Sequence, residues 1–218
     1  MLHFLTKLLD WIFPRSFPVA KIERLSLAEL RATATPPSKM LLPALHNAQV
    51  AATAIFHYRQ PIIREAMWEL KYRGNPKIAR LFAEAVAAKL EEIREQSPKE
   101  IILIPLPSSA ARRRERGWNQ TELIAARIPP TIPHFAIRTN ILQKIHHTIP
   151  QARLKNRQRL TNLKNCFALV KNFRQRMPAD PLIILFDDVT TTGATFAEAL
   201  KPFFRAGFTD VYCLAIAH

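Results

Sequence analysis

Two adjacent carboxylates, Asp187 and Asp188, precede a run of hydroxyls around one glycine: Val189, Thr190, Thr191, Thr192, Gly193, Ala194, Thr195. That order of residue types suits a phosphorylated sugar. Backbone N–H groups at a helix start lack intrahelical partners and carry partial positive charge, so they take up a phosphate. Threonine hydroxyls add donors, and a glycine lets the backbone come close. Carboxylates at a strand end accept hydrogen bonds from sugar hydroxyls. A ribose 5-phosphate satisfies both halves at once. The plain alternative is an ordinary strand–loop–helix corner with threonines as caps; an acidic pair, a hydroxyl run and a glycine in one stretch weigh against it.

The elements that must position these residues are legible around them. Leu182 to Phe186 is an unbroken apolar run, the pattern of a strand buried on both faces, with Pro181 just before it. A helical pattern follows from about Ala194 to about Ala206. Ile101 to Leu106 is a second buried strand, leading into Pro107, Ser108, Ser109 and Ala110. Then come Arg112, Arg113, Arg114 and Arg116, and Gly117, Trp118, Asn119 and Gln120 opening a helix to about Ile128. An arginine run alone reads as a solvated face or a nucleic-acid patch. Placed after a buried strand, in a chain with a ribose-phosphate turn, it is expected to face a phosphate-bearing ligand, a pyrophosphate, rather than solvent.

Elsewhere, Ile62, Ile63, Ala66, Met67 and Leu70 form one apolar helix face ending at Lys71-Tyr72-Arg73-Gly74. Asn75-Pro76 restarts a longer helix, with Ile78, Leu81, Phe82, Ala85, Val86, Leu90 and Ile93 at three- and four-residue steps. Further strands are expected near 133–138, 165–170 and 211–217. Together these predict an α/β fold, a mostly parallel central sheet flanked by helices on both faces, with the ligand above the strand carboxyl ends. Residues 139–164 are polar and basic; they include Lys144, His146, His147 and Arg159. Mutual repulsion predicts a segment that is mobile or partly helical until an anion gathers it. The two histidines have no third ligand in view, so no metal is assigned. Leu2 to Phe13 can form an amphipathic helix docking on its own domain or on a partner, in preference to a membrane, and 14–45 reads as proline-rich, irregular and partly ordered.

The totals set wider bounds. The 218 residues, 48% hydrophobic, suit one domain with an ordinary core. A net charge of +15 favours anionic partners, whether polyphosphates, nucleic acid or an acidic membrane, without choosing among them. Cys166 and Cys213 lie in apolar runs and read as buried reduced thiols. The apolar N-terminal stretch is short, interrupted by Asp10 and followed by no cleavage site. It therefore reads as neither a signal peptide nor a membrane span, and a cytoplasmic location is expected.

Phe186 to Thr195 resembles the phosphoribosyl pyrophosphate (PRPP) motif of type I phosphoribosyltransferases. That resemblance implies that Asp187 and Asp188 hold the ribose hydroxyls and that Thr190 to Thr195 cradle the 5-phosphate, with Val189 between them part of the PRPP-binding motif. The ComF-type competence family is similar over about residues 56 to 217. Its pattern is carried by Leu70-Lys71-Tyr72, Pro105-Leu106-Pro107, Arg112, Arg114 and Arg116 to Gln120. It continues through Thr148, Gln151, Leu154, Arg159, Asn162 and Phe167 to the PRPP-like motif.

Residues 1–55 are expected to be an N-terminal helix and irregular extension, and 56–218 a phosphoribosyltransferase-like domain. Many members carry an N-terminal cysteine-rich zinc module, but residues 1–60 hold no cysteine, so no zinc is expected. The resemblance implies binding of PRPP with Mg²⁺ held mainly through that substrate, and transfer of ribose 5-phosphate to or from a nitrogenous base. Lys71, Ser108, Ser109, Arg112, Arg116 and Lys144 are the expected pyrophosphate-binding residues, with Arg116 catalytic beside Asp187 and Asp188. The alternative is a non-catalytic accessory in DNA uptake or processing, whose partners are single-stranded DNA or competence proteins.

Overall fold

The computed structural model describes residues 17–33, 40–42, 50–145 and 165–218. Helices Phe17–Ile22 (α1) and Leu27–Thr33 (α2) precede strands Met40–Leu41 (β1) and Ala51–Phe56 (β2). Helices Pro61–Arg73 (α3) and Pro76–Glu95 (α4) lead to strand Ile101–Pro105 (β3) and helices Ala110–Arg116 (α5) and Gln120–Ala125 (α6). Three short strands follow, Phe135–Ile137 (β4), Leu142–Lys144 (β5) and Phe167–Leu169 (β6), then a 3-10 turn, Phe173–Arg176. The chain closes with Leu182–Val189 (β7), Ala194–Arg205 (α7) and Val211–Ala217 (β8).

The central sheet has the order β1-β2-β8-β7-β3-β4. Every pairing in it is parallel except that of the short edge strand β1 with β2. Its middle strands are apolar on both faces because both faces are covered. Ile101, Leu103, Ile184 and Phe186 point into a core shared with α3, α4 and α6. Ile102, Ile104, Ile183 and Leu185 point into a second core closed by α7 and the β5–β6 ribbon. Each such fully buried side chain contributes about 1.5–3 kcal/mol.

Helix boundaries follow local chemistry. α3 starts on a proline and ends where Gly74 takes a left-handed conformation (φ 60°) and its N–H donates to the Leu70 carbonyl at 3.2 Å. The Asn75 side chain then caps α4, accepting from the N–H groups of Lys77 and Ile78 at 3.1 and 3.4 Å.

Three expectations are corrected. Within the stretch expected to be irregular, α1 and α2 form and bury Ile22 and Leu30 in the α3–α4 core. The strand expected at 165–170 exists as β6, but it pairs antiparallel with β5 outside the central sheet. Its place in the sheet is taken by β2, whose register sets Ala52 against Cys213 and Phe56 against Ala217. The polar stretch from 139 also begins in order, since Gln143 and Lys144 pair with Ala168 and Phe167. Leu2–Phe13 lies outside the described residues. Cys166 and Cys213 are both free and buried. Among the described residues, no helix is long and apolar enough to cross a membrane.

Candidate phosphate and sugar site

β3 and β7 are neighbours, but the chain leaves them for opposite faces: α6 packs in the first core and α7 in the second. A crevice therefore opens above their carboxyl ends, the place where open α/β sheets bind ligands. The candidate residues that follow β3 and those at the end of β7 leave the sheet at these neighbouring carboxyl ends.

On the β7 side, the acidic pair belongs to the strand itself, which runs on past the apolar run to Val189. Each carboxylate turns back on its own backbone. Asp187 Oδ1 accepts from Asp188 N–H at 2.9 Å, and Asp188 Oδ1 accepts from Val189 N–H at 2.7 Å. Burial pushes the Asp187 carboxyl well above the usual carboxylate range, and the Asp188 charge pushes it further; Lys144 partly offsets both. Lys144 thus stands on β5 within electrostatic reach of the pair, its ammonium 5.4 Å from the Phe167 ring.

The turn 190–193 joins β7 to α7. Thr190 N–H is tied to the Ala217 carbonyl at 2.9 Å. The N–H groups of Thr191, Thr192 and Gly193 find no acceptor among the described residues. Gly193 has φ 71°, the left-handed conformation glycine adopts without a steric penalty. Thr192 Oγ1 accepts from Ala194 N–H at 3.4 Å. Successive N–H groups without described acceptors thus precede a 12-residue helix, a kind of position that favours negative charge. A ring nitrogen of His218, which sequence reasoning passed over, stands 3.2 Å from the Thr191 carbonyl.

On the β3 side, Leu106 N–H extends the pairing to the Phe186 carbonyl at 2.8 Å. Leu106's own carbonyl takes Asn119 Nδ2 and Thr121 Oγ1, each at 3.0 Å, and these bonds fold the loop over the strand end. Ser108 Oγ is buried with no hydrogen-bond partner, and Ser109 is buried. Arg112 and Arg116 lie on α5, which follows directly.

Two motifs far apart in sequence prove to be one unit. Trp118 Nε1–H donates to the Leu70 carbonyl at 3.1 Å, and Gln120 Nε2 donates to the Lys71 carbonyl at 3.3 Å. A Cβ on Gly74 would meet the Trp118 ring at 2.9 Å, so only glycine allows this approach. The docking gathers Lys71 and Arg116 around Tyr72, at 5.1 and 5.9 Å from its ring centroid. In the sequence Tyr72 reads as part of the Leu70-Lys71-Tyr72 helix end that carries the family resemblance, with no site role assigned to it. Thr148, Gln151, Leu154, Arg159 and Asn162 lie outside the described residues, as do His146 and His147 and the expected closing segment beyond Ile145.

No family model matches the chain. Competence protein F of Haemophilus influenzae is 29% identical over 168 residues, spanning 75% of this chain and 70% of the relative. Competence protein ComFC of Bacillus subtilis is 30% identical over 146 residues, 67% of this chain and 55% of the relative. The DNA utilization protein YhgH of Salmonella typhimurium is 31% identical over 156 residues, 67% of this chain and 63% of the relative. The chain therefore spans less than two thirds of the length of the last two.

Proposed function

The chain belongs to the ComF-type family of competence proteins, and from that premise we propose that it is a cytoplasmic accessory of DNA uptake or DNA utilization that holds a phosphorylated ribose. The DNA role is supported by the relatives' names and by the +15 charge, which suits a polyanionic partner. The ligand site is supported by one observation above all. Three N–H groups without described acceptors, Thr191, Thr192 and Gly193, adjoin the Asp187–Asp188 pair at the β3–β7 crevice. PRPP, entering with its own Mg²⁺, fits this chemistry: Asp187 and Asp188 take the ribose hydroxyls, and residues 189–195 take the 5-phosphate. Ser108, Ser109, Arg112, Arg116, Lys71 and Lys144 then serve the pyrophosphate.

A second reading adds catalysis and is favoured by the Lys71–Arg116 pairing around Tyr72. In a ribosyl transfer the bond from C1 to pyrophosphate breaks as a base nitrogen bonds C1, and negative charge gathers on the leaving group. Fixed cations beside that charge lower the barrier. Pyrophosphate release from PRPP–Mg²⁺ in the presence of pooled bases tests this second reading. Salt-dependent binding of single-stranded DNA by the full chain tests the first, and no binding at low salt would remove it.

A further inference from the structure

α3 carries a stripe that neither core nor phosphate turn uses. Arg64, Trp68 and Tyr72 follow at four-residue steps and so share one side of the helix. That side lies opposite Ile63, Ala66, Met67 and Leu70, which are buried. Arg64 is exposed, Trp68 is half-buried, and Tyr72 is 41% exposed, more than any other described aromatic side chain. The rings of Trp68 and Tyr72 are 5.1 Å apart and tilted by 44°. Cations stand over both rings: the Lys71 ammonium and the Arg116 guanidinium lie 5.1 and 5.9 Å from the Tyr72 centroid, and the buried Arg73 guanidinium lies 5.2 Å from that of Trp68. The stripe is also held rigidly, because the Trp118 and Gln120 hydrogen bonds pin the end of α3.

A surface needed only for solubility has no use for aromatic faces in water. Aromatic faces interleaved with cations are what a strand of unpaired nucleotides requires: bases have π-faces to stack, and the intervening phosphates need positive charge. A duplex offers the phosphates but keeps its bases stacked on one another. An acidic peptide would use the cations and leave the rings idle.

We propose that the Arg64–Trp68–Tyr72 stripe is a docking site for single-stranded nucleic acid. A base stacks on the exposed ring of Tyr72, which Trp68 supports from within the stripe, and the flanking phosphates meet Arg64, Lys71 and Arg116. This rests on the reading of the chain as a DNA-handling protein and gives that reading a place on the molecule.

The test is fluorescence anisotropy of the full chain with a labelled oligothymidylate and with a labelled duplex, over a series of salt concentrations. Tyr72→Leu keeps apolar contact with Trp68 but removes the ring face. It should weaken single-strand binding about tenfold, leave duplex binding unchanged and leave the salt slope unchanged, because tyrosine releases no counterions. Tyr72→Phe should bind as wild type does. Arg64→Gln should lower the salt slope by about one on the single strand. Wild-type binding with an equally tight Tyr72→Leu variant overturns the stripe and leaves the DNA-handling reading standing. Equal weakening on single strand and duplex overturns the stacking. Absence of wild-type binding to either nucleic acid overturns both the stripe and the DNA-handling reading.

Discussion

Burial and the neighbouring Asp188 charge raise the Asp187 pKa, and both causes are costs the folded chain carries. A carboxyl whose folded pKa exceeds its unfolded value of about 3.9 binds its proton more tightly when folded. Its contribution to stability is therefore full below that value and is lost as pH rises through the folded pKa. Asp187→Asn keeps an oxygen for the Asp188 N–H and removes the charge. The variant should melt at or above the wild-type temperature at pH 7, and the difference should vanish near pH 4. A variant less stable than wild type at pH 7 would show that the carboxylate is paired and stabilising in the folded chain. Groups that serve only stability are not usually left in this condition, whereas sites that bind a ligand often are. The pair itself was legible in the sequence, since two carboxylates before a threonine–glycine turn are rare. The Asp187–Lys144 proximity was not, because it depends on where the β5–β6 ribbon lands.

Among the elements, the junction of α3 with the segment after α5 carries the most testable geometry. Gly74→Ala forces a side chain into a left-handed backbone and against Trp118. It should cost about 1–3 kcal/mol, read as a lower urea midpoint with an unchanged slope. A midpoint equal to wild type would mean that Trp118 is not seated there. One turn earlier, Glu69 and Arg73 form a buried pair at 2.6 Å, with side chains 1% and 4% exposed. Glu69→Ala removes the carboxylate partner of a buried guanidinium and should cost about 3–5 kcal/mol; a cost below 1 kcal/mol would mean that the pair contributes little to stability. The buried strands β3, β7 and β8 could be read from their apolar runs, and the helices from their periods. β6 was read as a strand but misplaced, because strand character does not say which partner it takes. β2 was missed because Ala51-Ala52-Thr53-Ala54 is too weakly apolar to signal burial. α2 did leave a signal: Ser26 and Glu29 form a reciprocal cap, with Ser26 N–H donating to Glu29 Oε2 at 2.7 Å and Glu29 N–H donating to Ser26 Oγ at 3.3 Å.

For the molecule as a whole, the turn after β7 and the serine loop after β3 follow the carboxyl ends of neighbouring parallel strands, and Trp118 and Gln120 tie the end of α3 to the segment beyond that loop, in a chain of charge +15. The charge makes an affinity for DNA that falls steeply with salt the expected behaviour; affinity that stays flat from low to physiological salt would exclude electrostatics as its source. Charge alone does not account for a turn of three N–H groups without described acceptors beside two carboxylates, and that arrangement is the centre of the account. Isothermal titration of PRPP–Mg²⁺ into the wild-type chain and into Asp187→Asn/Asp188→Asn tests it most directly. Saturable one-site binding to wild type, competed by ribose 5-phosphate and lost in the folded double variant, is the expected result. Binding of equal strength to both proteins, or no heat from a folded wild type, would contradict it.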